Sequence, residues 1–294
     1  MSLPTSQPTI VATGLNGLVG SKFRDVYNQT YQFVVLDISD PQTPIDITNY
    51  DQVATALSQH RPSAVVHLAA FTDVTKAWEQ QGDTTGLAYQ VNVIGTQNIV
   101  TACEALGIHV IHISTAYVFD GEKDGLYTEE DTPHPIEWYG QTKAEAEAVV
   151  LAADCPATIL RIDFPFRSDP FPRPDIVRKT LSGMAKGYPL FTDHFFGPTY
   201  LDDFARVMDW AIRTKTTGLF NASSGEQWSD YQLGQKLFEL GLAPEAPKAG
   251  TLQNYLASLQ RPYQKNTALD TQKLQAALDF SLTSIADALS QVVL

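Results

Sequence analysis

The stretch Ile10-Val11-Ala12-Thr13-Gly14-Leu15-Asn16-Gly17-Leu18-Val19-Gly20, followed by Phe33-Val34-Val35-Leu36-Asp37, decides how the chain is read. An apolar strand runs into a glycine-rich turn, the turn opens a helical segment, and a second apolar strand ends in an acid. That order is a strand-turn-helix-strand unit able to grip a dinucleotide. The spacing Gly14-x-x-Gly17-x-x-Gly20 lacks one glycine of the G-x-G-x-x-G fingerprint, so its placement carries more than its letters do. The glycines would give a tight exit from the strand, a close approach of backbone to pyrophosphate and close helix packing. Gly14, Asn16, Gly17 and Leu18 are therefore the candidate phosphate contacts, served by free N–H groups at the helix start. Asp37 stands about twenty residues on, where a carboxylate accepts from both ribose hydroxyls. It would repel a 2'-phosphate and no arginine follows directly; Arg24 is the nearest upstream base. The reading favours NAD, with NADP second.

Working outward, strands and helices alternate through the first half, which gives an α/β class with a Rossmann-type doubly wound parallel sheet. Asp46-Ile47 could flank an adenine, acid toward the exocyclic amine and isoleucine against the ring, or Asp46 or Thr48 could start the helix that follows. Ala64-Val65-Val66-His67-Leu68 is the continuous apolar run of a strand covered on both faces, with His67 read as a core histidine. It ends in Ala69-Ala70, small enough to leave space for a cofactor. Thr84 to Leu106 reads as one long periodic helix with Val91, Ile94, Ile99 and Val100 toward the core. Asn92 lies among them, either bridging to the active site through its amide or facing solvent.

The strand Val110-Ile111-His112-Ile113 delivers Ser114-Thr115 at its carboxyl end, where open parallel sheets place their ligand crevice. Tyr139 and Lys143 follow on a helix, four residues apart and so on one face. A phenol titrates near pH 10. An ammonium one turn away and an oxidised nicotinamide would lower that value, letting Tyr139 exchange a proton with a carbonyl oxygen while Thr115 orients the substrate. Tyr-x-x-x-Lys alone is common; behind a glycine turn and a strand-end Ser-Thr it is specific. Tyr139, Lys143, Ala69, Ala70 and Asn92 complete the candidate cofactor contacts.

Composition narrows the class. The 294 residues, 44% hydrophobic, suffice for a large core, and 33 acidic against 20 basic residues give a net charge of -13, which argues against nucleic acid and anionic membranes. Cys103 and Cys155 have neither metal nor disulfide spacing, so a reducing, cytoplasmic setting with no metal is expected. Met1 to Pro8 reads as a loose leader, and nothing reads as membrane-spanning. The expected organisation is a nucleotide-binding domain over 9–163, completed by 198–221, and a smaller C-terminal substrate-binding lobe from 164–197 and 222–294. Arg167, Arg173, Arg178 and Arg261 are candidate phosphate or sugar contacts, and Asp202 reads as a helix cap. A final amphipathic piece, Thr271 to Val293, closes the domain.

With Thr13 to Gly20, Asp46-Ile47-Thr48, His112-Ile113-Ser114-Thr115-Ala116-Tyr117-Val118-Phe119-Asp120-Gly121, Tyr139-Gly140-Gln141-Thr142-Lys143 and Arg261-Pro262 in hand, the chain resembles the extended short-chain dehydrogenase/reductase superfamily. Within it, the chain is most similar to the dTDP-4-dehydrorhamnose reductase, RmlD-like branch. The resemblance implies Thr115, Tyr139 and Lys143 as catalytic hydroxyl, proton donor and assisting lysine. It implies reduction of the 4-keto group of a nucleotide-diphosphate 6-deoxysugar by NAD or NADP, with a homodimer left open. Two departures stand out: Ala116 where the branch has aspartate, and Ile162-Asp163-Phe164-Pro165-Phe166 where it has a Thr/Ser-Trp run. An epimerase or dehydratase, and a non-catalytic NAD(P)-binding regulatory subunit, are the alternatives.

Overall fold

The computed structural model describes residues 7–40, 44–257, 259 and 261–294. By contact the chain divides into two compact units. One holds the residues up to Ser114 with Thr142–Leu160 and Ala205–Leu219; the other holds Thr115–Gln141, Arg161–Phe204 and Phe220–Leu294. The expected leader falls almost wholly outside the described residues, as does part of the loop after Asp37.

Five strands, β1 (Thr9–Thr13), β2 (Gln32–Leu36), β3 (Ala64–His67), β4 (His109–Thr115) and β5 (Ala157–Ile162), form one sheet with the strand Gly218–Asn221. The order across it is β2, β1, β3, β4, β5, then Gly218–Asn221. β1 pairs parallel with both β2 and β3, and β3 with β4, so that Val11 lies between Val34 and Val65. The chain leaves β1 to one side for β2 and returns to its other side for β3. That reversal is the point at which open α/β sheets bind ligands, outside the carboxyl ends of the strands. The apolar runs need cover on both faces, and every residue of β3 and β4 is buried. Val11, Leu36, Val65 and Val110 pack with Val53 and Leu57 of helix α2 (Tyr50–His60) and Ile99 of the helix Gly95–Glu104. This is the expected doubly wound α/β sheet.

Helix α2 starts on Asn49, whose side chain accepts from Gln52 N. Neither Asp46 nor Thr48 is its cap. Asp46 instead folds a local turn, Oδ1 accepting from Thr48 N at 2.9 Å and Thr48 Oγ1 at 2.8 Å. The expected long helix over 84–106 is broken by a π turn, Gln90–Ile94, between Leu87–Tyr89 and Gly95–Glu104. Its wider turn shifts the phase of the pattern, burying Asn92 and Val93 and leaving Val91 and Ile94 half-buried.

Helix α1 (Leu18–Tyr27) begins at Gly17. A Cβ on Gly20 would lie 2.6 Å from Leu15 Cα and 2.7 Å from Gly14 O. Both are backbone atoms, so Gly20→Ala should cost about 2 kcal/mol through overpacking despite alanine's better helix propensity. Urea denaturation checks this; a stabilised variant would contradict it.

The second unit is built from short pairs: Trp228–Ser229 against Phe195–Phe196, Ala249–Gly250 beside Leu190–Phe191, and Pro165–Phe166 beside Thr199–Tyr200. Its core gathers Phe166, Val177, Phe196, Leu233, Leu237, Ile285 and Leu289. The expected closing helix is two shorter ones, Gln272–Ala277 and Ile285–Ser290.

Candidate active site

In the first unit the glycine turn sits against the end of β3. Gly14 has φ +64°, and a Cβ there would lie 2.7 Å from Ala69 N. Only glycine fits so close a crossing of two strand ends. Gly17 N returns to Gly14 O at 3.1 Å, which closes the turn, while Asn16 is exposed and Leu18 half-buried, Asn16 Oδ1 accepting from Arg24 Nη1 at 3.0 Å. Asp37 stands at the end of β2 with Oδ1 accepting from Ser39 N and Ser39 Oγ. Ala69 and Ala70 are half-buried beyond β3. Ile47 is buried under Gly95, so its bulk belongs chiefly to the core.

A buried polar chain braces these strand ends. Ala69 N donates to Thr13 Oγ1 (3.0 Å), Thr13 Oγ1 meets His67 Nδ1 (2.7 Å), His67 Nε2 meets Thr96 Oγ1 (3.0 Å), and Thr96 Oγ1 donates to Asn92 O (2.6 Å). Since the Thr96 hydroxyl hydrogen goes to Asn92 O, His67 must donate from Nε2 and accept at Nδ1. Burial, reinforced by the Lys143 charge, holds its pKa down to about 3, so the ring is neutral. His67 is the core histidine expected. Asn92 is buried: Oδ1 accepts from Phe71 N at 2.7 Å, while Nδ2 donates to Phe71 O (3.2 Å) and Thr142 Oγ1 (2.9 Å). It thereby ties the loop after β3 to the residue preceding Lys143. Lys143 is itself buried, donating to Ile113 O at 2.8 Å with His112 Nε2 at 3.1 Å. Burial brings its pKa down to about 8, partly opposed by Glu147.

In the second unit Thr115, the last residue of β4, accepts from Tyr117 N at 3.2 Å, and its side chain lies beside the Tyr139 phenol, where it favours the phenolate. The Tyr117 and Tyr139 rings meet edge-on, centroids 5.9 Å apart. Tyr139 and Lys143 share the helix Trp138–Leu151, one turn apart. Burial raises the Tyr139 phenol above its ordinary value; Glu137 adds to this, while Thr115 and Arg173 oppose it. The sequence reading expected the phenol to be lowered. In the chain itself desolvation wins, and Lys143 Nζ is engaged by Ile113 O and His112 Nε2. A raised phenol stays protonated at neutral pH, the state a proton donor needs.

The RmlD substrate binding domain family matches residues 8–294. The chain belongs to that family. The dTDP-4-dehydrorhamnose reductase of Aggregatibacter actinomycetemcomitans is 30% identical to this RmlD-family chain over 285 residues, 91% of this chain and 92% of the relative. The methionine adenosyltransferase 2 subunit beta of Rattus norvegicus is 27% identical over 286 residues, 90% and 81% of the two chains. The crystal structure of dTDP-4-dehydrorhamnose reductase from Bacillus anthracis, in complex with NADP, superposes with a TM-score of 0.86 at 23% identity, covering 97% of this chain and 98% of that one.

The RmlD-family chain also holds polar residues that sequence reasoning missed. Glu137 is buried, with Oε2 accepting from Tyr139 N (2.8 Å) and Oε1 from Gly140 N (2.7 Å). Burial pushes its carboxyl up to about 7 against those N–H groups and Arg261. A Cβ on Gly140 would lie 2.1 Å from Tyr117 O, so this glycine lets the helix start approach Tyr117. Arg167 and Arg178 are not phosphate contacts in waiting. Arg167 is buried and pairs with Asp169, and Arg178 pairs with Asp175 while donating to Arg167 O and Ser168 O. Asp202 is no cap either, lying in the first turn of Leu201–Thr214 and accepting from Ser168 Oγ. Of the expected arginines, Arg173 acts on Tyr139, and Arg261 acts on Tyr117 and Glu137. Ala116 is fully buried. The adjacency of Glu137 to the Tyr-Gly pair was the one local signal that could have flagged it.

Proposed function

We propose that the chain is an NAD(P)-dependent reductase of a nucleotide-linked 4-keto-6-deoxysugar. The observation that carries the reading is the Thr115 side chain at the end of β4 beside the half-buried Tyr139 phenol, which desolvation keeps protonated, on a helix whose next turn brings a buried lysine. Family membership and the similarity to a dTDP-4-dehydrorhamnose reductase supply the substrate class.

The first unit fits the cofactor: the turn through Gly14, Asn16, Gly17 and Leu18 presents backbone N–H groups at the start of α1 to a pyrophosphate, and Gly14, where a Cβ would strike the Ala69 backbone, lets that turn close over the end of β3. Asp37 holds the adenosine ribose, Asp46 and the edge of Ile47 meet the adenine, and Ala69, Ala70 and Asn92 border the rest. When bound, the cofactor supplies the hydride. Thr115 orients the substrate carbonyl, Tyr139 gives its proton to the developing alkoxide, and Lys143 fixes the nicotinamide ribose and favours the phenolate left behind. The second unit binds the sugar nucleotide. The buried free thiols Cys103 and Cys155 support a reducing, cytoplasmic setting.

Against the alternative of a non-catalytic NAD(P)-binding regulatory subunit stand the intact Thr115, Tyr139 and Lys143. The test is oxidation of NADH and NADPH across a panel of nucleotide-linked 4-keto sugars. Sugar-dependent oxidation is expected; turnover with bound cofactor and no external reductant would favour an epimerase. Asp37→Ala should weaken NAD about tenfold and NADP little, since only NAD offers the 2'-hydroxyl to that carboxylate. Equal losses in a fluorescence titration would remove the preference for NAD.

A further inference from the structure

Asp163, in the second unit, is held through both its backbone and its side chain. Its N donates to Thr199 Oγ1 at 2.9 Å, its O accepts from the same hydroxyl at 2.8 Å, and its Oδ2 accepts from Gly197 N and Thr267 Oγ1, both at 2.8 Å. The side chain is 2% exposed, yet Oδ1 has no hydrogen-bond partner among the described residues. Leaving a buried acceptor or donor unmade is expensive, and such a group held rigid is a preformed ligand contact. The next residue strengthens this. Phe164 has φ +35°, a left-handed conformation that costs a non-glycine residue about 1–3 kcal/mol and clusters at ligand sites. Its ring lies 6.2 Å from that of Tyr117, which stands edge-on to Tyr139, and 5.8 Å from His194.

We propose that Asp163 recognises the sugar of the substrate, donating a hydrogen bond from Oδ1 to a hexose oxygen beside Tyr117. The assignment rests on the sugar-nucleotide reading above and names a contact for it. The direction of the bond follows from the fixed partners. Oδ2 already takes two donors, so in the neutral acid the proton sits on Oδ1 and needs an acceptor. Burial pushes the carboxyl up to about 8, opposed by the Gly197 N–H and the Thr267 hydroxyl, so the neutral acid prevails at pH 7.

The expected signature is a pH dependence confined to ligands that carry the sugar. Ionisation of Asp163 removes the donor, so affinity is present below pH 8 and falls by about tenfold by pH 9. The charged and titratable groups around the facing Tyr117 phenol are Tyr263, Arg261 and Glu137. Glu137 titrates near 7 and the phenols lie raised, so Asp163→Asn, which keeps a donor and an acceptor but cannot ionise, isolates the effect.

The experiment is calorimetric titration of full-length wild type and Asp163→Asn with dTDP-rhamnose and with dTDP, at pH 7 and pH 9, with cofactor present. The dTDP-rhamnose to dTDP affinity ratio should fall about tenfold with pH in wild type and stay constant in the variant. Asp163→Leu should lower that ratio at pH 7 by about tenfold. Binding of both ligands with a ratio independent of pH in wild type, or with the same slope in Asp163→Asn, overturns the contact while leaving the reductase reading standing. Failure of wild type to bind either ligand overturns that reading and the contact with it.

Discussion

Tyr139→Phe is expected to lower kcat for the 4-keto sugar by about 10³-fold while leaving cofactor affinity within about twofold, because the variant removes the one group placed to give the proton. The Thr115 hydroxyl already addresses the phenol, and burial keeps it protonated. Phenylalanine keeps the edge-on packing against Tyr117, and the glycine turn and Asp37 lie in the other unit, so neither fold nor cofactor binding should move. Steady-state turnover, with NADH binding followed by fluorescence, checks both halves. Unchanged turnover would remove the role assigned to the phenol.

Lys143→Met should lower kcat by about 10²-fold and abolish a basic limb in the pH profile. The ammonium is buried, holds Ile113 O and faces His112 Nε2; methionine fills similar space without charge. With burial bringing its pKa down to about 8, wild-type activity should fall as pH rises through 8, whereas the residual activity of the variant should be flat there. Stability carries the opposite sign. A lysine titrates near 10.4 when exposed, so between pH 8 and 10.4 the unfolded chain binds more protons than the folded one, and wild type gains stability relative to the variant as pH rises. Thermal unfolding at pH 7.5 and 9.5 tests this; a gap independent of pH would mean the lysine is solvated.

Local patterns made much of the fold and half of the site legible in advance. The strand-glycine-helix turn, the acid ending β2, the Ser114-Thr115 pair at the end of β4 and the Tyr139-Lys143 spacing all lie within single elements, where periodicity and steric demand act directly. The π turn at Gln90–Ile94 was not legible, since one wide turn leaves composition untouched while altering which side chains face inward. Asn49 took the cap from Asp46 because the aspartate found closer partners in Thr48. Arg167 and Arg178 read as anion contacts only while their carboxylates, Asp169 and Asp175, could not be placed. The cluster of Glu137, Asp163, Arg261 and Tyr263 around Tyr117 comes from four separated segments, and no spacing rule joins them. The direction of the Tyr139 shift depended on burial, which outweighs the nearby donors.

In the proposed reaction the chain moves a hydride onto a sugar ketone with Tyr139 as acid. Its most direct measurement is the fate of deuterium when [4-²H]NADH or [4-²H]NADPH is incubated with dTDP-4-dehydrorhamnose and the enzyme. One deuterium is expected at C4 of the product, with one cofactor oxidised per sugar reduced, and about 10³-fold slower incorporation with Tyr139→Phe. Conversion of the sugar without deuterium at C4, or with no net oxidation of cofactor, would contradict it.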